Sequence, residues 1–171
     1  MRIISLSPFL LVVLLIVLSP CESSNNVIEK TCRKTTNYAL CVSTLKSDPR
    51  SATADPAGLA SITLDVLLPK ANATFTYTLK LFESVSGGTS LYRFYGTCVD
   101  VYGNIVASHI PNALSELAAR KFSDARGDAA MVGNNAAFCE EQFGGRNPLT
   151  PGNNEVHDLA TVAADIIGSL G

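Results

Sequence analysis

Apolar residues recur at helical spacing along most of the chain. The clearest series runs Leu91, Tyr95, Cys98, Tyr102, Ile105 and His109, at alternating steps of four and three. A second series comprises Ala125, Ala129, Val132, Ala136, Cys139 and Phe143, and a third comprises Val156, Leu159, Ala163, Ile166 and Leu170. Each spacing is typical of an amphipathic helix that buries one face. The pattern therefore predicts an all-α protein.

A further helix is predicted after Asp55, which suits an N-cap, with Pro56 in the first helical position. Its apolar face is less regular and comprises Leu59, Ile62, Val66, Ala73 and Leu79. Pro69 is expected to kink this helix. The β-branched run 74–78 favours a strand by propensity alone. We predict helix, because a strand there would have no partner elsewhere in the chain.

Short helices are predicted on both sides of a turn at residues 35–37, and Pro49 should end the second of them. The remaining helices are separated by four features. These are a connector at residues 87–90, an interruption at Pro111, a helix stop at residues 144–145 and a helix cap at residues 150–151. The predicted architecture is four long helices preceded by an N-terminal helical hairpin.

Residues 1–23 have the pattern of a signal peptide, with a basic start, an apolar run and small residues before the cleavage site. Cleavage is expected after Cys21 or Ser23, and we favour Ser23. The alternative is a membrane anchor, but the run from Phe9 to Leu18 is short against the roughly 20 apolar residues of a transmembrane helix. Residues 24–171 are predicted to form one secreted domain that does not stay in the membrane.

Charge and catalytic motifs point away from several function classes. The formal net charge is −2, which gives no reason to expect a nucleic-acid partner. Only His109 and His157 are present, and neither lies in a metal-binding or nucleophile motif, so no metal or cofactor is expected. We interpret His109 as a hydrogen-bonded core or boundary residue, and Glu140 and Glu141 as a solvated helix face. Binding is therefore favoured over catalysis, with a hydrolase or a small-ligand carrier as alternatives.

The cysteines outside the predicted leader are Cys32, Cys41, Cys98 and Cys139. In a secreted chain they are expected to form disulfides, and three pairings are open. Cys98 and Cys139 lie on the apolar faces of different helices, so two facing helices would bring their sulfur atoms together. Separately, Asn72 begins the sequon Asn-Ala-Thr and is a candidate for N-glycosylation.

Arg120, Lys121 and Phe122 lie at a predicted junction between two helices. On one reading, Phe122 packs down onto the helices and the two cations are merely solvated. On the other, a basic and aromatic protrusion on a rigid helical hairpin enters an acidic cleft.

Four segments resemble the plant invertase and pectin methylesterase inhibitor family over residues 25–170. They are Thr-Cys-Arg-Lys-Thr-Thr-Asn-Tyr-Ala-Leu-Cys, Ser-Asp-Pro-Arg-Ser-Ala-Thr-Ala-Asp, Tyr-Gly-Thr-Cys-Val-Asp-Val-Tyr and Phe-Cys-Glu-Glu-Gln-Phe. The resemblance implies an up-and-down four-helix bundle preceded by a helical hairpin, with two disulfides, Cys32 to Cys41 and Cys98 to Cys139. The second disulfide would then cross-link the hairpin that presents Lys121, and we expect its reduction to loosen the tip first.

Invertase inhibitors of this family carry a Pro-Lys-Phe motif between the second and third bundle helices. The matching residues here are Arg120, Lys121 and Phe122, with arginine in place of proline. The resemblance implies a 1:1 complex with acid invertase, in which Lys121 occupies the carboxylate pocket and Phe122 blocks the sugar path. The alternative target is pectin methylesterase, bound through a helix face. Either role implies a secreted protein of the apoplast, cell wall or vacuole.

Overall fold

The computed structural model describes residues 24–145 and 147–171, and the predicted leader at residues 1–23 lies outside them. The α-helices are α1 (Ser24–Cys32), α2 (Tyr38–Ser47), α3 (Pro56–Ser84), α4 (Ser90–Asn104), α5 (Ile110–Ala118), α6 (Phe122–Glu141) and α7 (Thr150–Gly168). A 3₁₀ turn spans Pro49–Ala52, and a π-helical turn spans Ile105–His109 between α4 and α5. No strand occurs in the described residues, so the all-α prediction is confirmed.

Helix α3, the α4–α5 rod, α6 and α7 form an up-and-down four-helix bundle. Short connections make successive helices antiparallel neighbours, and contacts between α3 and α7 close the ring. The helical hairpin α1–α2 precedes the bundle. Its turn is fastened to α7, because the backbone N–H and the hydroxyl of Thr36 both donate to Asp165 Oδ2 at 2.8 Å. The predicted architecture is confirmed.

The helix starts mostly follow the predicted caps. Asn37 accepts from the Leu40 N–H, Asp55 from the Gly58 N–H and Thr89 from the Tyr92 N–H. Helix α7 differs from the prediction, because Leu149 occupies its N-cap position and makes no capping bond through its side chain.

Two prolines lie within long helices. Helix α3 continues through the exposed Pro69 and through residues 74–78, so the helix prediction there is confirmed and the strand is absent. At the other site, Pro111 lacks the N–H that an α-helical turn would use. The π-helical turn lies just before it, with the Ile110 N–H bonded to the Ile105 carbonyl. Pro111 therefore interrupts the rod, as predicted.

The core contains most of the predicted apolar faces. Leu91 is an exception, since it lies in the first turn of α4 and is 46% exposed. On α3, Ala73 is exposed, and threonines complete the buried face instead. The hydroxyls of Thr63, Thr74 and Thr78 donate to carbonyls four residues earlier, at 2.9, 3.0 and 2.7 Å. Because their polar atoms are satisfied within the helix, these threonines pack as small apolar residues.

Glycines at helix contacts differ in how closely the neighbouring helix approaches. A Cβ atom on Gly133 of α6 would lie 3.6 Å from the Ala160 Cβ of α7, which is ordinary contact. A Cβ atom on Gly152 of α7 would lie 2.6 Å from the Thr74 hydroxyl of α3, which is a clash. Gly152 therefore sets how closely α3 and α7 pack.

Both disulfides are present, Cys32 to Cys41 and Cys98 to Cys139, and all four cysteines are fully buried. The first closes the α1–α2 hairpin. The second joins the middle of α4 to the last turn of α6. The implied pairing is confirmed.

Candidate functional site

The α5–α6 connection forms a tight tip at one end of the bundle. The Lys121 N–H donates to the Glu116 carbonyl at 2.9 Å, and the Arg120 N–H donates to the Leu117 carbonyl at 3.0 Å. This pair of bonds is the Schellman motif, which ends a helix through one residue in the left-handed conformation. That residue is Arg120, at φ 59°, where glycine is usual. The backbone strain at Arg120 lies in the segment predicted to bind a partner.

Positive charge is concentrated at this tip. Arg120 and Lys121 are both exposed. Lys121 is also the N-cap of α6 and makes no capping bond through its side chain. The N–H groups of the first turn and the positive end of the helix dipole therefore lie beside the two cations. This arrangement favours contact with a carboxylate.

Phe122 is partly buried. This differs from the expectation of an exposed aromatic protrusion that enters an acidic cleft. It packs against the core cluster, and a Cβ atom on the C-terminal Gly171 would lie 3.1 Å from its ring. The ring therefore fastens the start of α6 to the end of the chain. Its exposed part borders a groove of about 350 Å³ that Arg126 also lines.

Acidic residues lie directly behind the cations. Glu116 on α5 faces Asp124 and Asp128 of α6, and its Oε2 atom is buried with no hydrogen-bond donor among the described residues. Burial and the repulsion of Asp128 and Asp124 raise the pKa of Glu116, and the nearby Lys121 opposes this shift. The tip thus combines exposed cations with three carboxyl groups, of which Asp124 is exposed and Glu116 and Asp128 are partly buried.

The histidines have structural partners. His109 Nδ1 lies 2.7 Å from Asp128 Oδ1, so the predicted hydrogen-bonded boundary role is confirmed. His157 Nδ1–H donates to the Gly133 carbonyl at 3.0 Å, which gives it a partner on α6 instead of a dyad with Asp158. Among the described residues, no cluster of three or more His, Cys, Asp or Glu side chains could hold a metal ion. Within the same residues, no helix is long and apolar enough to cross a membrane.

Comparisons with known proteins decide the family. Residues 26–166 match the model of the family described as plant invertase/pectin methylesterase inhibitor. The chain belongs to this family. It is therefore a member of a family of inhibitors and not of a family of enzymes.

Two named relatives represent the two inhibitor classes. The chain is 29% identical over 147 residues to the cell wall / vacuolar inhibitor of fructosidase 1 of Arabidopsis thaliana, covering 86% of this chain and 70% of that protein. It is 31% identical over 127 residues to the pectinesterase inhibitor of Actinidia deliciosa, covering 72% of this chain and 66% of that protein.

A solved structure supports the fold. A mutant form of a pectin methylesterase inhibitor from Arabidopsis aligns with a TM-score of 0.72 at 20% identity, over 84% of this chain and 97% of that one. At this identity the likeness shows the shared fold alone.

Glu140, at the end of α6 opposite the tip, differs from the predicted solvated residue. It accepts hydrogen bonds from the Thr150 hydroxyl at 2.6 Å and the Asn153 amide at 2.7 Å. Asn153 in turn accepts from the buried Tyr102 hydroxyl at 2.7 Å. Although burial opposes the shift, bonds from Thr150, Asn153 and Asn147 lower the pKa of Glu140. Its sequence neighbours, among them Glu141, gave no signal of this network, which joins three bundle helices.

The Ser-Asp-Pro-Arg-Ser segment that carries part of the family resemblance forms a surface ion-pair cluster. Arg50 bonds to Asp48 at 2.7 Å and to Asp65 of α3 at 2.6 Å. Its hydrogen bonds to Asp48 lower the pKa of that carboxyl group. The cluster borders an open groove of about 710 Å³ between α3 and α7. Because Arg50 joins the 3₁₀ turn to α3, we interpret the segment as a fastening of the hairpin to the bundle.

The tip and the second disulfide lie far apart in the hairpin that the α4–α5 rod forms with α6. Lys121 precedes α6 and Cys139 lies in its last turn, so roughly 27 Å of helix separates them. This distance revises the expectation that reduction would loosen the tip first. The bridge fixes the open end of the hairpin, where the connection to α7 begins.

Proposed function

We propose that this protein is a secreted inhibitor of acid invertase and forms a 1:1 complex with it through the Arg120–Phe122 tip. One observation carries the proposal, namely the two exposed cations at the uncapped N-terminal end of α6. The name of the fructosidase inhibitor from Arabidopsis supports this class of target.

The chemistry of the target fits the tip. Glycoside hydrolases generally cleave the glycosidic bond with a pair of carboxyl groups, so the invertase cleft contains negative charge. In the proposed complex, the Lys121 ammonium group lies against those carboxylates, and the N–H groups at the start of α6 add hydrogen-bond donors. Arg120 provides a second cation at the rim of the cleft.

Phe122 would obstruct the sugar path with the part of its ring that remains exposed. Because the rest of the ring packs on the core, the side chain is already ordered before binding. A preorganised contact loses less conformational entropy when the complex forms.

Pectin methylesterase is the second candidate target, and the 31% identical pectinesterase inhibitor of Actinidia favours it. That complex would use a helix face of the bundle. A change of charge at the tip should then leave inhibition largely intact.

The proposed location is the apoplast, cell wall or vacuole. The predicted leader and the two disulfides are consistent with an oxidising secretory route. We further propose N-glycosylation at Asn72, whose side chain is exposed on α3.

The test is a pair of titrations with purified residues 24–171, one against an acid invertase and one against a pectin methylesterase. We expect stoichiometric loss of invertase activity near a 1:1 ratio and unchanged pectin methylesterase activity. Loss of pectin methylesterase activity alone would select the second candidate. Unchanged rates for both enzymes would refute the inhibitor proposal.

A further inference from the structure

Charge is distributed unevenly between the N-terminal hairpin and the bundle. Residues 24–47 contain one carboxylate and four cationic side chains, which are Lys30, Arg33, Lys34 and Lys46. Their formal net charge is therefore +3. Residues 48–171 contain 8 Lys or Arg against 13 Asp or Glu, so their formal net charge is −5. The modest total thus conceals a basic hairpin on an acidic bundle, and such an asymmetry points to an anionic partner.

Three of the hairpin cations have no anionic partner within the protein. The carboxylate of the hairpin, Glu29, pairs with Lys46 at 3.5 Å. Among the described residues, the exposed side chains of Lys30, Arg33 and Lys34 form neither an ion pair nor a hydrogen bond. The negative end of the α1 dipole lies beside them, but it is equivalent to roughly half a charge. It therefore balances only part of this trio, which we call the hairpin patch.

The hairpin patch borders a concave surface. Lys30 and Lys34 both line a groove of about 400 Å³ between α1 and the start of α3. Asp55 lines the same groove, but its carboxylate accepts the Gly58 N–H at 2.7 Å as the N-cap of α3. The groove lies within the range of about 300–1,000 Å³ that is usual for ligand sites. Because the two lysines share this groove, their charges repel each other, and an anionic ligand would relieve the repulsion.

The turn that carries the patch is held on both sides. The disulfide between Cys32 and Cys41 closes the hairpin around it. The backbone N–H and the hydroxyl of Thr36 also bond to Asp165 of α7, each at 2.8 Å. The backbone of the patch is therefore ordered before any ligand arrives, and this lowers the entropy lost on binding.

We propose that the hairpin patch binds an acidic polysaccharide, that is, a chain of uronic acid residues. The carboxylates of such a chain repeat along its length and can pair with successive cations. Tyr38 begins α2 directly after the turn and is 42% exposed, so its ring offers an apolar face to the C–H groups of a sugar. The two disulfides place the protein in an oxidising compartment outside the cytosol, which disfavours a nucleic acid as the polyanion.

The first experiment measures the binding of purified residues 24–171 to soluble polygalacturonate by calorimetry at about pH 6, where carboxyl groups are ionised. Fully methyl-esterified polygalacturonate is the uncharged probe. We expect binding to the charged chain that weakens as salt is added, and no binding to the ester. Equal binding to both chains, or no binding to polygalacturonate, would overturn the inference.

Two double variants test the position of the site. The first is Arg33→Glu with Lys34→Glu, and the second is Lys80→Glu with Arg93→Glu, at exposed residues of α3 and α4. Both lower the net charge by the same amount, and circular dichroism checks that both keep the parental helicity. The hairpin variant should bind roughly tenfold more weakly, because each reversal replaces a weak attraction with a weak repulsion. The control should bind like the parent, and equal weakening of both would overturn the inference.

The second experiment needs no variant. Backbone amide resonances of the parent are followed by NMR during a titration with a short oligogalacturonate. Resonances of residues 30–38 should shift, whereas shifts confined to residues 120–122 would overturn the inference. Equal affinity for poly-L-glutamate, or binding to anionic phospholipid vesicles in place of polygalacturonate, would assign the patch to another partner and would also overturn it. Because these assays contain neither invertase nor pectin methylesterase, their outcome does not depend on the proposed function.

Discussion

Replacing Arg120 with proline should damage the tip, although it would complete the Pro-Lys-Phe sequence with which residues 120–122 were compared in the sequence analysis. Arg120 has φ 59°, whereas the proline ring fixes φ near −65°. Proline would also remove the Arg120 N–H that bonds to Leu117 at 3.0 Å. It further disfavours the helix-like conformation of the preceding Ala119, at φ −79° and ψ 2°. Arg120→Pro therefore requires a different backbone for the tip.

The magnitudes follow from these three effects. Proline placed where its φ and its missing N–H are both incompatible costs roughly 3 kcal/mol. Glycine gives the opposite result, because a left-handed arginine is strained by about 1–2 kcal/mol. The greater freedom of glycine in the unfolded chain offsets about 0.5–1 kcal/mol of that gain. Arg120→Gly should thus stabilise the protein by roughly 1 kcal/mol, which corresponds to about 2–4 °C in melting temperature for a domain of this size.

The assay combines urea unfolding, followed by circular dichroism, with invertase inhibition. Arg120→Gly should increase the free energy of unfolding and still weaken inhibition, because one of the two tip cations is lost. Arg120→Pro should decrease the free energy of unfolding and also weaken inhibition. A proline variant as stable as the parent would show that residue 120 does not need the left-handed conformation and would refute the reasoning.

Three further predictions concern the bundle. Because the folded-state pKa of Glu140 is lowered, its stabilising contribution is present above the unfolded-state pKa and is lost as pH falls through the folded-state value. Glu140→Gln should therefore lower the free energy of unfolding by about 1–3 kcal/mol near neutral pH. This loss should shrink as the pH falls through the folded-state pKa of Glu140, and a loss that stays the same throughout an acid titration would contradict the reasoning. Gly152→Ala should destabilise by about 1–3 kcal/mol through its clash with α3. Gly127→Ala adds an atom with no neighbour within 4 Å, so it should stabilise the protein by up to about 1 kcal/mol. If the two alanine variants shifted the melting temperature in the same direction, the packing argument would be refuted. Replacing both Cys98 and Cys139 with alanine should lower the free energy of unfolding in urea by about 4 kcal/mol. Because the disulfide lies far from the tip, the folded variant should inhibit as strongly as the parent, and weaker inhibition by the variant would contradict this argument.

The long helices could be predicted from the sequence because the core consists of regular apolar faces. The pairing of Cys98 with Cys139 followed the same logic, since each lies on the buried face of its own helix. The buried threonines of α3 were missed, because their side chains satisfy themselves only once the helix exists. Likewise, Glu140 has no neighbour in sequence that indicates its bonds to Thr150 and Asn153.

At the candidate site, the sequence identified the residues but not their conformation. The junction of Arg120, Lys121 and Phe122 was predicted, whereas the left-handed Arg120 was not, because arginine has no preference for that region. The facing of Glu116 and Asp128 arises only when α5 and α6 pack side by side. Such contacts depend on how each helix is rotated about its own axis when the helices pack. The spacing of residues along the sequence does not determine this rotation.

The most direct test of the central claim is a reversal of charge at the tip. Lys121→Glu is compared with Lys80→Glu, an exposed lysine on α3, in a titration of acid invertase at one pH. The account predicts that Lys121→Glu abolishes inhibition while its helicity and free energy of unfolding stay close to those of the parent, and that Lys80→Glu inhibits normally. Undiminished inhibition by Lys121→Glu would contradict the account.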